Sequence, residues 1–173
     1  RALEREDLRQ LRDWRNDPKI FSRVREYRLL SMEDQELWFN SLIDDHKTLM
    51  FGVEAGESHQ MELIGVCGLT HIDWVCRKAE VSIYIGPKDY RGKGLGIEIL
   101  DVLAKYAFKE CNLNRLWAEI FTGNSASRQV FIKGGYSEEG LLRNHAYKGG
   151  FCQDSFIYGL LREEWEKKAV PSA

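Results

Sequence analysis

The sequence predicts an α+β fold, and three observations carry that prediction. Amphipathic helical spacing opens the chain, period-two segments fill its middle, and only two further helical stretches fall among the later strands. With 173 residues and 43% hydrophobic residues, the chain is long and apolar enough for a core, and one domain over 1–173 is expected.

The elements follow in order. Arg5 to Asn16 reads as a helix with Leu8, Leu11 and Trp14 or Arg15 on one side, and Pro18 ends or kinks it. Ser31 has the chemistry of an N-cap, with Asp34 three residues on closing a capping box. The helix beyond carries Leu37, Trp38, Leu42 and Ile43. "TLMFGVEA" and "MELIGVCGLTHID", joined by the turn "GESHQ", read as an antiparallel hairpin. In "KAEVSIYIG", Ala79, Val81, Ile83 and Ile85 alternate with Glu80, Ser82 and Tyr84, so one face is apolar and the other polar. A helix follows through Ile97, Leu100 and Leu103, then the strand "RLWAEIF". A short helix "NSASRQVFIKGG" ends at Gly134 or Gly135. "YSEEGLL" and "QDSFIYGLL" form a last hairpin around the polar loop "RNHAYKGG".

Charge and composition narrow the function. The net charge of −2 argues against nucleic acid as the main partner. No apolar run approaches the roughly 20 residues of a membrane helix, and the opening segment lacks a signal-peptide core, so no membrane partner and a cytoplasmic location are expected. Cys67, Cys76, Cys111 and Cys152 lack metal-ligand spacing, so reduced thiols and no metal are expected.

The informative stretch is "YIGPKDYRGKGLGIEIL". A strand ending in Gly92, Gly94 and Gly96 and entering a helix presents backbone N–H groups at the positive end of a helix dipole, which suits a phosphate. It is not a Walker A loop, because Gly94 follows Lys93 where Ser or Thr is needed. Ile97 and Ile99 break the dinucleotide pattern G-x-G-x-x-G. What fits is R-x-x-G-x-G over Arg91, Gly94 and Gly96, which resembles the acetyl-CoA pyrophosphate loop of the GNAT N-acetyltransferase superfamily. Asn124, Ser127 and "GGY" at Gly134–Tyr136 stand where that family has an Asn-led helix. "LRDWRNDP", the Glu in "GIEIL" and "Y-G-L-L-R-E-E-W" are similar to the ribosomal-protein alanine acetyltransferase and amino-sugar acetyltransferase branch.

The resemblance implies a mostly antiparallel mixed sheet with flanking helices and a V-shaped splay between the strand before the glycines and "RLWAEIF". It also implies acetyl-CoA as co-substrate and direct transfer to a primary amine. Pantetheine would pair near Ile83, Tyr84 and Ile85, with a backbone N–H near Ile85 holding the oxyanion. The amides of Arg91, Gly92, Lys93, Gly94, Leu95 and Gly96 would take the pyrophosphate, and Asn124 and Ser127 would flank the cofactor. Glu80 is the first candidate for the base, against a solvated or salt-bridged strand glutamate; His71 and His145 are weaker candidates, against surface histidines. Asp154 is a substrate-orienting carboxylate or a structural anchor, and Trp14, Arg15 and Asn16 contact substrate or pack. Phe131 stands where many members place an acidic Tyr, leaving Ser127 or water as the acid. Trp38 and Trp165 are expected in cores, "REEWEKK" on a solvated face, and Glu98 at the helix dipole.

Three acceptor readings stay open: a protein N-terminal amine, an amino-sugar nucleotide, and a polyamine. Arg12, Arg15, Arg23, Arg25 and Arg28 crowd the early region and lean toward an anionic small substrate. From another class, the chain could bind acyl-CoA without turnover, as Phe131 suggests. A homodimer is expected from the family's habits.

Overall fold

The computed structural model describes residues 1–57 and 60–169; Ser58 and His59 of the expected "GESHQ" turn lie outside the described residues. A 3-10 turn, Arg5–Asp7, leads into α1 (Leu8–Asn16), so the α-helix proper starts later than the periodicity predicts. Asp17 then caps α2 (Pro18–Phe21), which starts on the proline, whose missing N–H has no helical partner to lose there. An irregular segment leads to α3 (Met32–Ser41). Its Ser31–Asp34 capping box forms as expected: Asp34 N–H donates to Ser31 Oγ and Ser31 N–H to the Asp34 carboxylate. Within and just past α3 the apolar assignment needs correction, because Leu37 and Ile43 are exposed while Trp38 and Phe39 pack inward.

β1 (Leu49–Ala55) and β2 (Glu62–Asp73) pair antiparallel, and β3 (Lys78–Ile85) returns along β2. The glycine loop enters α4 (Leu95–Lys105), a π-turn at Tyr106–Glu110 follows, and β4 (Arg115–Phe121) lies parallel to β3. After α5 (Ser125–Gly134) come β5 (Ser137–Lys148), β6 (Phe151–Leu161) and α6 (Arg162–Ala169). The six-stranded sheet runs β1-β2-β3-β4-β6-β5, antiparallel except for β3 with β4. The expected polar loop "RNHAYKGG" is instead mostly strand, and the turn is left to Gly149 and Gly150 at positive φ.

Helices cover both faces of this sheet. On one face Leu69, Val81, Leu116 and Ala118 pack with Leu100, Leu103, Phe108 and Phe131 of α4, the π-turn and α5. Trp165 of α6 joins that core against Phe108. On the other face Val66 packs with Leu8 and Leu11, joined by Trp14, Trp38, Phe39 and Tyr84. The alternating side of β3 that reads as polar is therefore covered as well, and Glu80 is buried.

Candidate active site

Period-two geometry makes the site. β3 and β4 pair only at Lys78↔Arg115, Ala79↔Leu116 and Glu80↔Trp117, and beyond Glu80 the strands part. Gly86 N–H donates to Ile64 O in β2, so by alternation the amides of Tyr84 and Ser82 also face β2. Those of Ile83 and Ile85 turn the other way, into the gap. An unpaired strand edge inside a cleft is suited to an extended, amide-bearing chain.

The loop at the open end divides its glycines by purpose. Gly92 and Gly94 sit at φ of +75° and +87°, and a Cβ at either would meet no heavy atom within 4 Å, so conformation alone demands glycine there. Gly96 is different: a Cβ there would stand 3.0 Å from Val130 Cγ1 of α5, so it lets two helices approach. Gly94 is the N-cap of α4 and has no side chain to cap with. Among the described residues no backbone carbonyl accepts from the amides of Gly92, Lys93 and Gly94, and those of Leu95 and Gly96 are first-turn amides without a helical partner. Arg91 departs from its expected part, since its own amide is spent on Lys88 O. Its guanidinium donates to Ile85 O at 3.0 Å and to Gly86 O, tying the loop to the end of β3. Lys93 Nζ lies 5.7 Å over the Tyr90 ring.

Opposite the loop, Asn124 caps α5 by accepting from Ser127 N–H at 3.3 Å, and both residues line the cleft. Phe131 lines it too, stacked edge-on against Tyr136 at 4.9 Å. The Tyr136 hydroxyl is buried without a hydrogen-bond partner among the described residues, and burial drives its pKa upward.

Where the strands part, two carboxylates face one guanidinium. Arg25, from the segment after α2, donates to Glu80 Oε1 at 2.5 Å and to Glu119 Oε2 at 3.2 Å. The two glutamate side chains are 3% and 5% exposed. Glu119 Oε1 is buried with no partner among the described residues. His71 Nδ1 stands 2.9 Å from Glu80 Oε2 but off the line a hydrogen bond needs, so the contact is an ion pair only when the imidazole is protonated. His145 Nε2 lies 3.5 Å from Glu119 Oε2. Glu80 is thus not a solvated strand glutamate. Glu119 escaped the sequence reading, and its signal is the alternation of Leu116, Ala118 and Ile120 with Trp117 and Glu119, which sets it on Glu80's face once the register is known.

The remaining candidates divide. Trp14 packs edge-on against Tyr84 at 6.3 Å, and a Cβ on Gly86 would collide with its indole. Asn16 clamps Leu30 through both its amide groups at 2.8 Å. Arg15 lines the cleft, its guanidinium 6.0 Å from the Tyr84 ring centroid and its Nε buried without a partner among the described residues. Burial raises the Tyr84 phenol's pKa. Asp154 Oδ1 accepts from Asn144 N–H at 2.7 Å and anchors β5 to β6. Glu98, in the first turn of α4, agrees with its dipole role.

A splayed strand edge, a bare loop on a helix N-terminus and buried carboxylates at the apex together define an acyl-CoA-dependent transferase site. Comparison with known proteins agrees: the family profile for the Acetyltransferase (GNAT) domain matches residues 1–137, and the chain belongs to that family. It is 39% identical to the Bacillus subtilis protein YdaF, provisionally named a ribosomal N-acetyltransferase, over 66% of this chain and 62% of that one. It is 31% identical to the spermidine N(1)-acetyltransferase of Vibrio cholerae over 89% of this chain and 87% of that one. The crystal structure of spermidine N-acetyltransferase from Vibrio cholerae in complex with CoA and spermine superposes with a TM-score of 0.89 at 29% identity, covering 96% of each chain. The chain is a GNAT N-acetyltransferase with acetyl-CoA as acetyl donor. Among the described residues no group of His, Cys, Asp or Glu is arranged to hold a metal, and no helix is long and apolar enough to cross a membrane.

Proposed function

We propose that this chain acetylates a cationic primary alkylamine of the polyamine class by direct attack in a ternary complex with acetyl-CoA. The observation that carries the reading is the pair Glu80 and Glu119, two buried carboxylates bridged by a single cation where the splay begins. An ammonium can donate hydrogen bonds to the same oxygens that Arg25 now occupies. The likeness to spermidine acetyltransferases supports the same acceptor class. The early arginines no longer argue for an anionic acceptor, because Arg12 pairs with Asp13, Arg25 with the two glutamates and Arg28 with Glu26.

An alkylamine with a pKa near ~10.4 arrives protonated, so a base must free its lone pair. Glu80 takes that proton, directly or through one water, and Glu119 holds the ammonium through its free oxygen. Pantetheine pairs with the edge of Ile83 and Ile85, and the Ile85 amide receives the oxyanion. The amides of Gly92 to Gly96 receive the pyrophosphate, while Asn124 and Ser127 flank it. Phe131 cannot donate a proton, so the thiolate is protonated by Ser127 or water.

A protein N-terminus is the second reading, favoured by the identity to YdaF. Thiol release with spermidine, a ribosomal N-terminal peptide and a nucleotide-linked amino sugar separates the acceptors. Spermidine turnover supports the proposal, and turnover with the peptide alone replaces it. A spermidine N-acetyltransferase of Vibrio cholerae has a dodecameric structure, which supports a homo-oligomer here, to be tested by light scattering.

A further inference from the structure

The two imidazoles beside the buried carboxylates are there by a break in each strand. The β2–β3 register shifts between Thr70 and Asp73, and His71 within that shift has φ of +50°. The β5–β6 register shifts between Leu142 and Ala146, where Asn144 has φ of +49° and its amide is pinned by Asp154. A bulge re-aims the side chain that follows from it, and a left-handed non-glycine residue costs free energy that an undisturbed strand avoids. Each break brings one histidine to one buried glutamate.

The chemistry requires a way out for a proton. When an ammonium is acetylated, the nitrogen–carbonyl bond forms, the carbon–sulfur bond breaks, and two protons leave the nitrogen. One ends on the CoA sulfur. The other must reach solvent, and Glu80 at 3% exposure has almost no water contact of its own.

We propose that His71 is the outlet: it takes the acceptor's surplus proton from Glu80 and passes it to water, so that Glu80 is ready for the next amine. Its Nδ1 lies 2.9 Å from Glu80 Oε2, the oxygen that Arg25 leaves free, while the ring is 69% exposed. The ring turns into line to accept the proton and is unhindered in doing so. Thr70 Oγ1, 3.3 Å from the same nitrogen, gives the imidazole a resting partner. His145 is the lesser route, because it approaches Glu119 at 3.5 Å on the oxygen already bonded to Arg25. The charged groups around the outlet are therefore Glu80 and, through it, Arg25. This inference rests on the transfer reading above and assigns a residue that the reading itself does not need.

His71→Asn tests it, since asparagine tolerates the left-handed backbone and cannot relay a proton at neutral pH. Thiol release with the best amine should show kcat lower by on the order of 10²-fold, with acetyl-CoA affinity and the thermal midpoint kept. Free imidazole added to the assay should restore part of the lost kcat, which a purely structural histidine would not allow. H145N should lose less. Wild-type kcat in H71N, or a loss that imidazole leaves untouched, overturns the outlet while the transfer reading stands. Silence of the wild-type chain with every amine overturns the transfer reading, and the outlet with it.

Discussion

Glu80 is the last residue of β3 that pairs with β4, opposite Trp117, and the cleft begins one residue further along. The carboxylate is thereby fixed on a rigid ladder at the edge of the space where transfer would occur. Glu80→Gln keeps the shape and hydrogen-bonding reach but removes the base. It should lower kcat by about 10²–10⁴-fold while leaving acetyl-CoA affinity unchanged, as read by steady-state kinetics and calorimetry. Unchanged kcat would move the base to Glu119.

Arg25 competes with the acceptor for the same oxygens. In R25A the two carboxylates lose their internal cation, so KM for spermidine should fall while the dissociation constant for acetyl-CoA holds. The thermal midpoint should also drop, because two buried charges are left facing each other. A KM that rises instead would make Arg25 an organiser of the acceptor site.

The three loop glycines should fail in two different ways. Gly94→Ala puts a side chain into a left-handed position and costs about 1–2 kcal/mol, hence about 2–4 °C in Tm per kcal/mol for a chain of this size. Gly96→Ala instead pushes against Val130 Cγ1. Adding Val130→Ala should rescue acetyl-CoA binding in G96A and do nothing for G94A, a difference that thermal shift with titrated acetyl-CoA measures.

Thiol reagents should discriminate among the cysteines. Cys67 is buried and its pKa is pushed up to about 11 by desolvation. Cys76 is exposed, but its hydrogen bond to Asp73 and that carboxylate's charge raise its pKa. An aromatic disulfide should modify exposed Cys152 first, Cys76 more slowly and Cys67 only after unfolding. Peptide mapping of a time course checks the order.

Local signals in the sequence carried far. The Ser31–Asp34 box, the Asn124 cap and the glycine loop are each decided by a few adjacent residues, and each formed where expected. The splay and its mixed sheet came from the family resemblance and agree with the register. What stayed hidden depends on distant contacts. Period two gave Glu80 a polar face, but whether that face is wet depends on the irregular segment after α2, held across it by Arg25 and by Lys148 Nζ donating to Glu26 O. His71 and His145 were hidden for a related reason: a bulge shifts the alternation, and nothing in the local spacing announces it. Leu37 and Ile43 have the apolarity of core residues, yet each is exposed.

The most direct test is amine-dependent thiol release from acetyl-CoA, compared between the wild-type chain and Glu80→Gln with spermidine as acceptor. Turnover by the wild type, lost in the variant while acetyl-CoA still binds both, is the predicted result. Equal turnover by the two proteins would contradict the place given to Glu80 at the apex of the cleft. Turnover confined to the peptide or the amino sugar would contradict the cationic-amine acceptor.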